Sequence, residues 1–344
     1  MESLTAALVR TGIIAAVLSF VACRLVITMA SQWRLGGKPA LRRRAERPSV
    51  PHLGSIALAF ACLVALVWSA VGLGLWHQAG WRGWGFGSVW ILVLGLIDDL
   101  WWELPPWLKG AGQLLAAVVL VRGGIVMHVV SLPPWLNQLL TVVWIVGITN
   151  AMNLLDILDG LAAAVAQAAT VAFVILAVWA GQGTLALLGA AIVGSLAGFL
   201  VFNWPPAQLY MGDAGSQWLG FILATLSLAI SYAPLGREIA LLTPVVVLGL
   251  PIYDLMFVSW MRLRRGRSPF QKSRDHAALR LAQQSASPRA AVVRMASVAV
   301  GFAGVGLFVA RAHNLAGGLV VTMVLLVVLW WGRCLGLVEI DTDA

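Results

Sequence analysis

The chain has 344 residues, of which 60% are hydrophobic and 11% charged, and its mean hydropathy is +0.90. That lies far from the roughly 25% charged content of soluble domains and excludes one; it is the composition of a polytopic membrane protein. The net charge of +9 does not point to nucleic acid, because the basic residues cluster in two loops between apolar spans, as the positive-inside rule explains. Cys23, Cys62 and Cys334 are scattered without metal-ligand spacing and read as apolar packing residues.

A first span is predicted from Leu4 to Ala30, with only Glu2 and Arg10 at its start and Arg34, Lys38, Arg42, Arg43, Arg44 and Arg47 after it. This charge order is the reverse of a secretory signal peptide. It places the N-terminus outside and the loop from Ser31 to Pro51 in the cytoplasm. That loop is either a topology signal alone or also a contact for anionic headgroups or a phosphorylated substrate. A second span, Leu53 to Trp76, leads to an outer turn where Trp76, Trp81, Trp84 and Trp90 read as an interfacial belt. The third, Phe86 to Leu100, ends on Asp98-Asp99. A charge at the centre of a membrane helix costs roughly 2.5–3.5 kcal/mol on insertion scales, so even at a helix mouth the pair asks for a cation or a function.

Trp101, Trp102 and Trp107 read as interface anchors around the break at Pro105-Pro106, and Lys109 opens a fourth span to Met127. A fifth span from Leu136 enters the stretch Asn150-Ala-Met-Asn153-Leu-Leu-Asp156-Ile-Leu-Asp159-Gly160-Leu-Ala162, around which the chain is organised. Its four polar residues recur every third position. On an ideal α-helix they drift by about 60° per step, whereas a 3₁₀ turn would align them. Gly160 supplies a special backbone angle where the helix breaks. The expectation is a helix end lining a polar cavity.

Spans six and seven, Leu161 to Ala180 and Thr184 to Val201, lead to Phe202-Asn203 and Pro205-Pro206, and then to Tyr210-Met-Gly212-Asp213-Ala-Gly215-Ser216 at the start of an eighth span to Tyr232. Gly212 and Gly215 around one carboxylate suit close approach by phosphate or metal, and equally an ordinary cap in which Asp213 accepts backbone N–H bonds. A ninth span from Ile239 carries Pro251 and Asp254 near its inner end. Asp254 reads either as part of a site or as a structural ion pair with Arg262 and Arg264. The longest polar loop, Met261 to Ala290, holds eight basic residues' worth of positive charge around Arg274-Asp275-His276, and spans from Val292 to Ala310 and Leu315 to Trp331 return the C-terminus inside. The fold predicted is an all-α bundle of about eleven spans with a cytoplasm-facing cleft, residues 1–344 forming one membrane domain.

On this topology Asp98, Asp99, Asp156, Asp159, Asp213 and Asp275 with His276 share the cytoplasmic side. An acidic focus amid basic loops suits Mg²⁺ with a polyanionic substrate and suggests phosphoryl transfer. An ion- or proton-coupled transporter also collects intramembrane carboxylates and stands as the alternative, although it predicts sites near the midplane. An intramembrane aspartyl protease fits less well, because Gly212-Asp213 precedes Tyr253-Asp254, the wrong order.

Four stretches in order resemble the polyprenyl-phosphate N-acetylhexosamine-1-phosphate transferases, over most of the chain up to Leu281. Asp98-Asp99 with Lys109 and Gln113 is similar to the family's paired-aspartate motif, and Asn150 through Ala162 to its Asn-x-x-Asn-x-x-Asp-x-x-Asp-Gly motif. Phe202-Asn203, Pro206-Ala207 and Met211 through Ser216 resemble its Met-Gly-Asp-x-Gly-Ser loop. Pro251-Ile-Tyr-Asp254, Ser268-Pro-Phe270 and Arg274-Asp275-His276 resemble its last cytoplasmic loop. The resemblance implies that a polyprenyl phosphate attacks the β-phosphorus of a UDP-N-acetylhexosamine and releases UMP. It implies that Asp213 and Asp156 bind Mg²⁺, or Mn²⁺ in its place, while Asn153, Asp156 and Asp159 hold the nucleotide and shape the metal site. Asp98 would deprotonate or orient the lipid phosphate beside Asp99. Asn150, Asn153 and Asn203 would line the substrate site, and His276, Arg274, Asp275, Lys109 and Arg47 would meet phosphate or shape its pocket. A bacterial inner membrane is favoured by the compact loops, and a homodimer would be unsurprising.

The sequence departs from the family at Ile157, where Gly is usual, and at Ser55, which replaces a second glycine after Pro51. It also reads His276-Ala277-Ala278, where relatives carry one or two further histidines. This last difference argues against the peptidoglycan translocase and towards the branch that starts O-antigen, teichoic acid or similar surface polymers.

Overall fold

The computed structural model describes residues 3–32, 50–73, 81–100, 103–232, 238–268, 273–285 and 287–338, and among them every regular element is helical. Helices α1 (Leu4–Gln32), α2 (Gly54–Leu73), α3 (Trp81–Leu100), α4 (Pro106–Arg122), α5 (Pro134–Leu155), α6 (Leu161–Trp179), α7 (Gly183–Asn203) and α8 (Gly212–Ala229) follow one another. A 3₁₀ turn (Glu238–Leu242), α9 (Thr243–Val247), α10 (Gly249–Arg264), α11 (Ala277–Gln283), α12 (Pro288–Arg311) and α13 (Asn314–Gly336) complete the described chain.

Among the described residues, seven helices are long and apolar enough to cross a membrane, or up to eight if the bent pair Glu238–Val247 and Gly249–Arg264 is one span. The protein is therefore a multi-pass membrane protein. The pair bends by 65°. Pro251 explains the place: it has no N–H to give the carbonyl of Val247 and its ring collides with that carbonyl, so the helix breaks one turn earlier. The sequence expectation of a single ninth span did not include this break. Pro also starts α4, α5 and α12, at the first turn where its missing N–H is harmless.

The layers follow from polarity. Helix α8 is buried along nearly its whole length, from Gly212 to Ser227, and packs against α2, α3 and α5. Outer helices do the reverse. Val9, Ile13, Val17 and Leu25 of α1, and Leu319, Met323, Leu326 and Leu329 of α13, are exposed, as suits surfaces solvated by lipid rather than water. Within the bundle, Gly194 and Gly198 let α7 lie directly on the α1 backbone, since a Cβ at either would stand within 2.3 Å of the carbonyl oxygen of Gly12 or Ala16. Thr11 and Ser69 hydroxyls bond at 2.6 Å between α1 and α2.

The tryptophans expected in an outer belt partly belong to the interior. Trp84 Nε1 donates to Thr225 Oγ1 at 3.2 Å, and Trp90 Nε1 to the Gly112 carbonyl at 3.0 Å, so both tie α3 to its neighbours. A half-buried indole N–H in an apolar bundle needs such a partner. Trp76, Trp101, Trp102 and the loop carrying Arg34 through Arg47 lie outside the described residues.

Candidate active site

The organising stretch is an α-helix end followed by a turn, not a continued 3₁₀ helix. Helix α5 runs to Leu155, Asp156 is its C-cap with φ −80° and ψ 53°, and Gly160 starts α6 with φ +74°. Because α5 stays α-helical, the two amides face different neighbours. Asn150 Nδ2 donates to Gln113 Oε1 of α4 at 2.5 Å, and Asn153 Nδ2 to Ser216 Oγ of α8 at 2.9 Å. Gln113 Nε2 in turn donates to Gln217 Oε1 at 2.9 Å, which links α4, α5 and α8 through buried amides. In the following turn, Asp159 Oδ2 accepts the Ala207 N–H at 2.9 Å, and Asn203 Nδ2 donates to the Leu209 carbonyl at 2.9 Å.

The first aspartate pair and the Met211–Ser216 loop meet at the same end of the bundle. Asp99 accepts the N–H of Asp213 with Oδ1 and that of Ala214 with Oδ2, each at 3.0 Å. The cap of α8 is thus Asp99, from another helix, and its charge sits where the helix dipole favours an anion. The alternative in which Asp213 caps its own helix does not hold. Two glycines make this approach feasible. Gly212 has φ +75° and a Cβ there would stand 2.4 Å from Asp99 Oδ2; a Cβ on Gly95 would stand 2.2 Å from Ala214 Cα.

With its backbone held by Asp99, Asp213 is left to turn its carboxylate towards α4. Lys109 Nζ lies 2.7 Å from both Asp213 Oδ2 and Asp98 Oδ2, bridging the two carboxylates. Asp98 Oδ1 also accepts the Leu104 N–H at 2.7 Å. Asp98 and Asp99 are buried, and Asp213 is half-exposed. One carboxylate oxygen from each of Asp98, Asp99 and Asp213 falls within 4.8 Å of the others. Hard oxygen donors gathered in this way fit Mg²⁺, with water or substrate phosphate completing its shell. Lys109 marks the same spot as one that calls for positive charge.

Asp156, expected to be a metal ligand beside Asp213, stands next to this group rather than in it: among the described residues the gathered carboxylates are those of Asp98, Asp99 and Asp213. Burial, and then the charges of Asp213, Asp99 and Asp159, push its carboxyl up from 3.8 to about 8. A carboxyl whose folded pKa is raised stabilises the fold fully below its unfolded pKa and loses that contribution as pH rises through its folded pKa. Without divalent metal, thermal stability is therefore expected to fall between about pH 4 and about pH 8, and Asp156→Asn to flatten the fall. Parallel melting curves for the two proteins across that range would remove Asp156 from the account.

The last loop forms a second cluster. His276 Nδ1 lies 3.0 Å from Asp254 Oδ2, and Asp254 Oδ1 accepts the Ala277 N–H at 3.0 Å, at the start of α11. Asp254 thus bonds directly to the histidine, while its charge also acts on Arg262 without a close ion pair between the two. Asp275 Oδ1 receives Arg265 at 2.7 Å and Arg280 at 3.1 Å. Arg280 is buried and also donates to the carbonyls of Leu335 and Val338, so it clamps the loop to the end of α13. Asp275 and Arg280 read as the loop's frame. Ala277 and Ala278 are fully buried, so an imidazole at either position would need the loop to repack; a single histidine is built into it. Arg289 Nε bonds the Pro205 carbonyl at 2.5 Å, holding this region to the α7–α8 connection. Arg274 is exposed at the loop's edge, and Arg47 lies outside the described residues. Sequence reasoning placed Ser216 in the Met211–Ser216 loop without a role and did not single out Gln217, since their partners lie on other helices.

Comparison with known proteins shows the family. Residues 81–231, which contain the first three motifs, match the family described as Glycosyl transferase family 4. A decaprenyl-phosphate N-acetylglucosaminephosphotransferase of Mycobacterium leprae is 32% identical over 314 residues, or 82% of this chain and 78% of the relative. A Bacillus subtilis protein named "Probable undecaprenyl-phosphate N-acetylglucosaminyl 1-phosphate transferase" is 28% identical over 73% of this chain and 71% of its own. A phospho-N-acetylmuramoyl-pentapeptide-transferase of Latilactobacillus sakei is 32% identical over 58% and 65%.

Proposed function

The chain belongs to the polyprenyl-phosphate sugar-1-phosphate transferases of glycosyl transferase family 4, and from that premise we propose that it moves N-acetylhexosamine-1-phosphate from a UDP-sugar to a polyprenyl phosphate. The observation that carries this reading is the convergence of Asp98, Asp99, Asp213 and Lys109 at one end of a membrane bundle. In the reaction an oxygen of the lipid phosphate forms a bond to the β-phosphorus of the UDP-sugar. The bond from that phosphorus to the bridging oxygen breaks, UMP leaves, and a polyprenyl-diphosphate-sugar remains. The products feed synthesis of cell-surface polysaccharide.

Such transfer relies on positioning and charge neutralisation more than on covalent chemistry. Mg²⁺ held by Asp213 and Asp98 would supply the charge that screens the diphosphate. Asp98 orients the lipid phosphate or takes its proton, and Lys109, released from its two carboxylates, neutralises developing phosphate charge. Asp99 fixes the loop that carries Asp213. Asn150, Asn153, Asp156, Asp159 and Asn203 shape the nucleotide pocket, while His276 and Arg274 meet the diphosphate. The carboxylate end faces the cytoplasm of a bacterium, where UDP-sugars are made, and the lipid enters from the bilayer side. UDP-N-acetylglucosamine is the first donor to test, in keeping with the single histidine of the last loop.

The test is UMP release by purified protein given undecaprenyl phosphate, Mg²⁺ and a panel of UDP-N-acetylhexosamines. Release that needs both the lipid and the metal is expected. Folded protein that stays silent over a broad panel would return the transporter reading to the front.

A further inference from the structure

Asp254 is fully buried, so it has no access to a substrate, yet it makes two directed bonds at the loop where the one histidine sits. One carboxylate oxygen holds the Ala277 N–H at 3.0 Å and the other faces His276 Nδ1 at 3.0 Å. We propose that Asp254 is the positioning residue of His276, setting which ring nitrogen carries the proton and which one is presented to the diphosphate. This rests on the transfer reading for its chemistry, but not for its geometry.

A carboxylate only accepts hydrogen bonds, so the proton between the two groups belongs to Nδ1 and the ring presents Nε2. His276 stands at the N-cap position of α11 with extended backbone, φ −70° and ψ 141°, and its side chain does not cap that helix. Asp254 takes over the cap, and this leaves the imidazole available. The neighbouring carboxylate is committed elsewhere: Asp275 is held by Arg265 and Arg280. Ala277 and Ala278 provide no second imidazole. Every demand on a ring nitrogen in this loop therefore falls on His276, and the only carboxylate bonded to that ring among the described residues is Asp254.

The telling substitution is Asp254→Asn. Its amide oxygen keeps the bond to Ala277 N–H, so α11 stays capped, while its NH₂ group faces Nδ1 as a donor and drives the proton to Nε2. Detergent-solubilised protein labelled with ¹⁵N-histidine, with the His276 signals assigned from a His276→Gln variant, reads the proton position without any turnover. Wild type should show Nδ1 protonated, and Asp254→Asn should show it deprotonated. With UMP release as the second readout, Asp254→Asn should lower kcat by about 10²-fold or more at nearly unchanged KM, since inverting a buried aspartate–histidine pair elsewhere costs up to about 10⁴. The double variant should be no slower than His276→Gln alone, because a residue acting only through the histidine has nothing left to lose.

An unprotonated Nδ1 in wild type overturns the proposal. So does additive loss in the double variant, or a wild-type kcat for Asp254→Asn. If wild type itself releases no UMP from any donor, the transfer reading fails, and the proposal is decided by the histidine spectra alone.

Discussion

Asp213→Asn is expected to lower UMP release by about 10³-fold or more. The side chain is nearly isosteric, and the bond that fixes the loop uses the backbone N–H of residue 213 to Asp99, which the substitution leaves alone. What disappears is one of the three charges gathered within 4.8 Å and one of the two carboxylates on Lys109. The protein should fold and melt near the wild-type temperature, with the apparent metal requirement shifted to higher concentration. Substantial activity at ordinary Mg²⁺ would move the metal locus away from Asp213, with Asp98 and Asp156 next in line.

Gly95→Ala should give the second large effect, through distance rather than charge. The added methyl would stand 2.2 Å from Ala214 Cα and 2.7 Å from its nitrogen. Neither is the end of a flexible side chain, so α3 and α8 must separate. Overpacking of this kind costs about 1–3 kcal/mol. The functional cost should be larger, because the shift comes one turn before Asp98 and Asp99 and pulls their carboxylates from the loop they hold. A misplacement of about 1 Å can cost about 10²-fold in rate. Thermal unfolding and UMP release measured together on the same preparation test this. A variant that is destabilised yet fully active would mean that the spacing of α3 and α8 does not set the site.

Much of this architecture is legible in the sequence because the membrane makes polarity informative. Four amides and carboxylates between apolar runs stand out in the stretch Asn150 to Asp159, as does the pair Asp98-Asp99, since burying them in lipid without purpose is costly. The all-helical, multi-pass character was legible for the same reason, but the count of about eleven spans was not matched: seven helices among the described residues, or up to eight, are long and apolar enough to cross a membrane. Features set by partners distant in sequence were less visible. Nothing in Met211 through Ser216 says that its helix is capped by Asp99, because the capping residue lies 114 positions away. Likewise, Asp254 looks like a neighbour of Arg262 and Arg264, whereas the long loop returns His276 to it. The periodicity of the organising stretch was ambiguous between an aligned 3₁₀ turn and an α-helix. It resolves as α-helix to Leu155, because Gln113 and Ser216 on two neighbouring helices satisfy the two amides separately. Trp84 and Trp90 misled for a related reason: an indole near a span end suits an interface equally well as an interhelical bond.

The central claim is that phosphate travels with the sugar. It is tested most directly by supplying a UDP-N-acetylhexosamine labelled with ³²P at the β-phosphate, together with undecaprenyl phosphate and Mg²⁺, and following the label into the lipid and aqueous phases. Label in the lipid fraction, matched by unlabelled UMP in water, is the predicted result. Label released to water as UDP while sugar alone enters the lipid would contradict it, as would a lipid fraction that stays unlabelled with folded protein and every donor tried.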